Sequence, residues 1–178
     1  DRIMLFPSDA SLPPRYALLA SISQRVPRIH LLALEGITES LVPVDLRTVS
    51  LSEAVLDVVE VPGSENALIV HDDNRTVLGL LDVGLGSVSP LEGVGRLDTF
   101  AFSEDGQYLV GASNNVDRVG FLELSSLHPS NMRLDDAPAK VLTLSNGAVF
   151  IDHADPFGRA TFIPGMASTR SESTVLSG

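Results

Sequence analysis

Three polar turns carry the residues of this chain that could do chemistry. They read HDDNRT over 71–76, SNNVDR over 113–118 and DHADPFGR over 152–159. Together they supply His71, Asp72, Asp73, Asn114, Asn115, Asp117, Asp152, His153 and Asp155, a collection of oxygen donors with two imidazoles. Hard cations such as calcium take about six to eight oxygen ligands. Asp72, Asp73, Asp152, His153 and Asp155 are therefore a candidate divalent-cation site, with 152–155 its densest run and calcium the implied ion. The same groups could line a rim for a cationic partner. A simpler account competes with both, because Asn and Asp fill tight turns by bonding the local backbone and tolerating positive φ.

Arg75, Arg118 and Arg159 each stand where a turn gives way to an apolar run. Their recurrence points to a structural job, pairing with a turn carboxylate on the same or a neighbouring unit; clamping an anionic ligand is the alternative. Other catalytic patterns are missing. There is no G-x-S-x-G elbow, no phosphate loop and no H-E-x-x-H pair. Gly84-Leu85-Gly86 lacks the third glycine of a dinucleotide fingerprint and reads as a connecting loop. With no cysteine, thiolate zinc sites, disulfides and Cys nucleophiles are excluded. His30 lies in an apolar run, RIHLLAL, and reads as an outward or edge residue; His128 has no assigned role. Asn74-Arg75-Thr76 matches a glycosylation sequon.

What positions the turns is a repeat. Leu68-Ile69-Val70 aligns with Tyr108-Leu109-Val110 at an offset of 40, and Gly79-Leu80-Leu81 with Gly120-Phe121-Leu122 at 41. A third copy, NGAVFIDHADPFGRATFI over 146–163, follows at 41, and a looser one occupies 15–34. Each copy is two short apolar runs joined by a polar turn, the pattern of an antiparallel hairpin. RIMLF (2–6), VLDVVEV (55–61), LDTFAF (97–102) and KVLTL (140–144) precede the hairpins; SLVPVDL (40–46) and SVSPLEG (87–93) follow two of them. Four strands per period of about 40 residues is the spacing of β-propeller blades. A helix over 49–61 is the competing reading, since Leu51, Val55, Val58 and Val59 share a helical face. The match of DVVEVPGSENALIV to DTFAFSEDGQYLV favours a strand over 56–61, with at most a helical turn at 51–54.

The expected fold is thus all-β and β-propeller-like, about four four-stranded antiparallel blades at roughly 1–46, 47–94, 95–136 and 137–178. Residues 165–178 form a polar end segment that could supply the last outer strand. Phe102 to Val110 and Arg118 to Leu124 carry a closer likeness. Their apolar-Ser-x-Asp-Gly turn and apolar-Glu-apolar close resemble blades of the YVTN-type and WD-repeat-like propeller families. Leu81-Asp82-Val83 and Val44-Asp45-Leu46 echo the motif. The resemblance spans residues 1–165, and without Trp the Trp-Asp dipeptide is missing. It implies a fold, and functions on that fold are mixed.

Composition narrows the rest. In 178 residues, 44% are hydrophobic, which is too apolar for a disordered chain and enough for a core. Aromatics are only 5%, so Leu, Val, Ile and Ala must build that core. Twelve Lys and Arg against 23 Asp and Glu leave a net charge of −11, which repels phosphate backbones and argues against nucleic acid. No apolar run approaches the ~18–20 residues of a membrane span. The chain starts at Asp1 without a signal-like region, which suggests a processed product or a piece of a longer protein. An exported compartment, periplasmic or extracellular, is slightly favoured. Four blades lie at the low end of the roughly four to eight seen in propellers, so an open or partner-completed ring is expected. The functional expectation is a non-catalytic protein-binding or assembly module, contacting another protein, further blades or a second copy of itself. The alternative is a metal-dependent enzyme of the propeller lactonase or lyase kind.

Overall fold

The computed structural model describes residues 2–7, 12–21, 27–34, 46–71, 78–91, 97–154, 158–166 and, for the backbone alone, 174–176. Sixteen strands form four four-stranded sheets, and no helix occurs among the described residues. Sheet 1 contains β1 (Arg2–Phe6), β2 (Tyr16–Ala20), β3 (Arg28–Ala33) and β4 (Leu46–Ser50). Sheet 2 contains β5 (Val55–Glu60), β6 (Asn66–His71), β7 (Leu78–Asp82) and β8 (Ser87–Leu91). Sheet 3 contains β9 (Thr99–Phe102), β10 (Tyr108–Ala112), β11 (Arg118–Glu123) and β12 (His128–Arg133). Sheet 4 contains β13 (Pro138–Thr143), β14 (Val149–His153), β15 (Ala160–Ile163) and β16 (Thr174–Leu176). In each, chain order is spatial order and neighbours are antiparallel. This is an all-β, propeller-like fold.

Local chemistry explains the elements. Residues 51–54 are irregular rather than helical, and Val55 begins a strand. The β-branched run Val55, Val58, Val59 suits a pleated surface better than a helix. The fourth strand of sheet 1 is LRTVS over 46–50, further along the chain than the expected 40–46, whose first residues lie outside the described ones. Its inward face holds only the half-buried Arg47 and Val49, so apolar content alone does not reveal it. The β9–β10 turn closes through Gly106 N to Ser103 O at 2.9 Å, and the β13–β14 turn through Gly147 N to Leu144 O at 2.9 Å. Both glycines have positive φ, 66° and 77°, a conformation in which a side chain is strained. Pro90 and Pro129 both fall in fourth strands, at sheet edges, where a missing N–H interrupts no ladder on the open side.

The chain divides into two compact units, residues 1–91 and 92–178, each built from two sheets. In the first unit, Phe6, Leu18 and Leu31 of sheet 1 share a buried cluster with Val58, Ile69 and Leu81 of sheet 2. In the second, Val110, Val119 and Phe121 of sheet 3 share one with Val141, Ile151 and Ile163 of sheet 4. Strand alternation makes both contacts alike. The side of the earlier sheet that bears Leu18 or Val110, here termed the forward face, packs on the rear face of the later sheet, which bears Ile69 or Ile151. Polar ties reinforce each contact. Arg47 Nη1 donates to Gly84 O at 2.6 Å, and Arg2 pairs with Asp57. In the second unit, Val141 N donates to Thr99 Oγ1 at 3.1 Å and Thr143 Oγ1 to Phe102 O at 2.6 Å.

Candidate functional site: turn rims and sheet faces

The turn that follows the second strand of each sheet was the expected source of donors. Asp72, Asp73, Asp155 and Arg75 lie outside the described residues. Asp152 and His153 are described, and β14 sends them to opposite sides: Asp152 is exposed and His153 only 6% exposed. The His153 ring is fully engaged. Nδ1 lies 3.0 Å from the Asp136 carbonyl, and Nε2 lies 2.8 Å from the Thr161 hydroxyl. A carbonyl can only accept, so Nδ1 donates, and in the neutral ring Nε2 accepts the Thr161 proton. His153 thus ties the start of sheet 4 to its second and third strands. Among the described residues, no three His, Asp or Glu side chains gather closely enough to hold a metal ion.

The 113–118 turn shows what its Asx residues do. Asp98, just before β9, accepts from Ser113 Oγ at 2.8 Å and from Asn114 N at 3.0 Å. Asp117 accepts from Arg133 Nε at 3.0 Å, across the β11–β12 ladder. Arg159 donates to Asp136 at 2.7 Å, so this repeated arginine does pair with a carboxylate, one ahead of β13 rather than in the turn itself. Asp98 and Asp136 were not singled out in the sequence. Each sits just before a first strand; Asp98 reaches the turn after the second strand, 15 residues on, and Asp136 the start of the third, 23 residues on, links that no short motif records. His30 meets Thr48 Oγ1 at 3.0 Å across β3 and β4, and His128 is exposed.

At the opposite ends of the sheets, neighbouring first turns leave grooves. In the second unit a groove of about 690 Å³ lies between Ser103, Glu104 and Asp105 on one side and Ser145, Asn146 and Gly147 on the other, floored by Tyr108 and Met166. The first unit repeats it at about 510 Å³, between Pro7 and Leu12 and the Pro62–Glu65 turn. Asp105 is already committed to its own turn. The Ser103 hydroxyl donates to it at 2.6 Å and Gln107 N at 3.0 Å, and these bonds, the hydroxyl first, hold its carboxyl below the ordinary value.

The largest unsatisfied chemistry is apolar. On the rear face of sheet 1, Ile3 is 74% exposed, Leu5 49% and Leu19 39%, with Ile3 and Leu19 facing each other in the ladder. On the forward face of sheet 4, Leu142 is 42% exposed and stands in one cross-strand row with the partly buried Phe150 and Phe162. Among the described residues, no helix is long and apolar enough to cross a membrane.

No family model matches the chain, and no curated protein sequence matches it. Among solved structures it is similar to Kuenenia stuttgartiensis hydrazine synthase, with a TM-score of 0.55 at 12% identity. The likeness covers 70% of this chain and only 36% of that one. At this identity the similarity concerns the fold alone, and it agrees with a propeller-like arrangement of sheets.

Proposed function

We propose that this chain is a non-catalytic protein-binding or assembly module built from propeller-type sheets. The observation that carries the reading is the apolar rear face of sheet 1, with Ile3 74% exposed beside Leu5 and Leu19. Contiguous apolar surface on a sheet is unfavourable in water at about 25 cal/mol per Å² and marks a place where another surface docks. The partner class is another protein, further propeller-type sheets or a second copy. The enzyme alternative gains no support from His153, whose two ring nitrogens are spent on Asp136 and Thr161.

Hydroxyl-radical footprinting of the full protein tests the reading. In its natural source, at native concentration, Leu5, Leu142 and Phe150 should be labelled less than in dilute purified protein. Equal labelling in the two states would overturn it.

A further inference from the structure

The first unit holds a guanidinium between a tyrosine ring and a carboxylate, and the second unit has the ring and carboxylates without the cation. Arg15 Cζ lies 5.7 Å from the centre of the Tyr16 ring, and Arg15 Nη2 lies 3.3 Å from Glu65 Oε1. Glu65 belongs to the first turn of sheet 2 and lines the smaller groove. Tyr16 opens β2 two residues before Leu18, and Tyr108 opens β10 two residues before Val110. Alternation therefore puts both rings on the forward face, toward the later sheet of their unit. The residue ahead of the ring differs. It is Arg15 in sheet 1 and the neutral Gln107 in sheet 3.

We propose that the groove of the second unit binds an arginine side chain of a partner protein, its guanidinium against Tyr108, Glu104 and Asp105. This inference rests on the protein-binding reading and names the chemistry of one partner, at residues other than those of the sheet 1 face.

The lining suits such a guest. At about 690 Å³ the groove falls in the range of about 300–1,000 Å³ usual for ligand pockets. Among the described residues that line it there is no Lys or Arg, so its formal charges are the two carboxylates. Glu104 is exposed and bonds no other described residue. Both hydrogen bonds to Asp105 fall on Oδ1, which leaves Oδ2 for a guest. Glycine keeps the space open: a Cβ on Gly147 or Gly165 would meet no atom within 4 Å. An ammonium would also answer the charge. A planar guanidinium does more, because it stacks on an aromatic ring while forking to two carboxylate oxygens.

Backbone amide NMR on the full chain tests this with an acetylated, amidated Ala-Arg-Ala peptide as the probe. In two controls, lysine or the neutral isostere citrulline replaces the arginine. The arginine peptide should shift the amides of Gly106, Gln107, Gly147 and Gly165 saturably, with a Kd of about 1 mM. The citrulline peptide should leave them in place, and the lysine peptide should bind about threefold more weakly. Glu104→Gln, at an exposed position, should weaken arginine binding by about threefold or more. Gly165→Leu should fill the groove and abolish the shifts, with the fold checked by circular dichroism. If that variant unfolds, Tyr108→Leu, which removes the ring and keeps an apolar side chain, takes its place, again with weaker binding expected. Equal shifts from arginine and citrulline, equal affinity for lysine and arginine, or undiminished binding to Glu104→Gln would overturn the proposal. The broader protein-binding reading fails separately, on equal footprinting in source and in isolation.

Discussion

His153 Nε2 and the Thr161 hydroxyl meet at 2.8 Å inside sheet 4, with the Asp136 carbonyl on the other side of the ring. The imidazole is a strut between three segments of one sheet. Sheet 2 lacks the strut: Gly79 faces Ile69 as Thr161 faces Ile151, so His71, two residues past Ile69, meets no hydroxyl there. Among the described residues, His71 Nδ1 is buried without a hydrogen-bond partner.

The strut should be measurable. Thr161→Val keeps the shape and removes the hydroxyl, leaving a buried ring nitrogen unpaired, at a cost of about 1–3 kcal/mol. Urea unfolding should show a lower midpoint with an unchanged slope, and Thr161→Ser should lose less. Equal midpoints for wild type and Thr161→Val would remove the strut from the account.

A second expectation concerns the close approach at Gly111. A Cβ there would come within 2.4 Å of Leu97 Cδ2, with two more atoms of the same side chain within 3.2 Å. Gly111→Ala should therefore displace Leu97 and cost about 1–3 kcal/mol. Shortening Leu97 to Ala in the same chain should recover part of that loss, and additive losses in a double-mutant cycle would contradict the contact.

Asp105 sets an acid-side dependence. Its folded carboxyl titrates below the ordinary 3.8 because the Ser103 hydroxyl and Gln107 N bond the ionised form. Its contribution is therefore fully present above pH 3.8 and lost as pH falls through the lower, folded value. The stability gap between wild type and Asp105→Asn should stay constant near neutrality and shrink in strong acid. A gap that widens on acidification would reverse the assignment.

If the turn Asx residues serve the backbone, calcium should leave the melting temperature unchanged, and so should a chelator. A melting temperature that climbs with calcium concentration, as mass action requires of a bound ion, would restore the cation site at Asp152 and its neighbours.

Much of the fold was written in the spacing of apolar residues. The runs ending at Val70, Val110 and Ile151 recur because each is a second strand whose neighbours repeat as well. The site was less legible, for two physical reasons. His153 looks like a ligand beside Asp152 in the sequence, yet strand alternation sends adjacent residues to opposite faces. Asp98 and Asp136 form the actual turn supports, but they act across the sheet, beyond any local pattern. The open faces were hidden too. Ile3, Leu5 and Leu19 stand in apolar runs like those of the buried strands, and nothing local in the sequence marks the face they share as open.

The most direct measurement is the mass at which the full chain sediments in an extract of its natural source. Docking through the apolar rear face of sheet 1 predicts a mass above one chain, and a return toward one chain when Leu19 carries a charge. A mass of one chain in the extract, unchanged by that substitution, would contradict it.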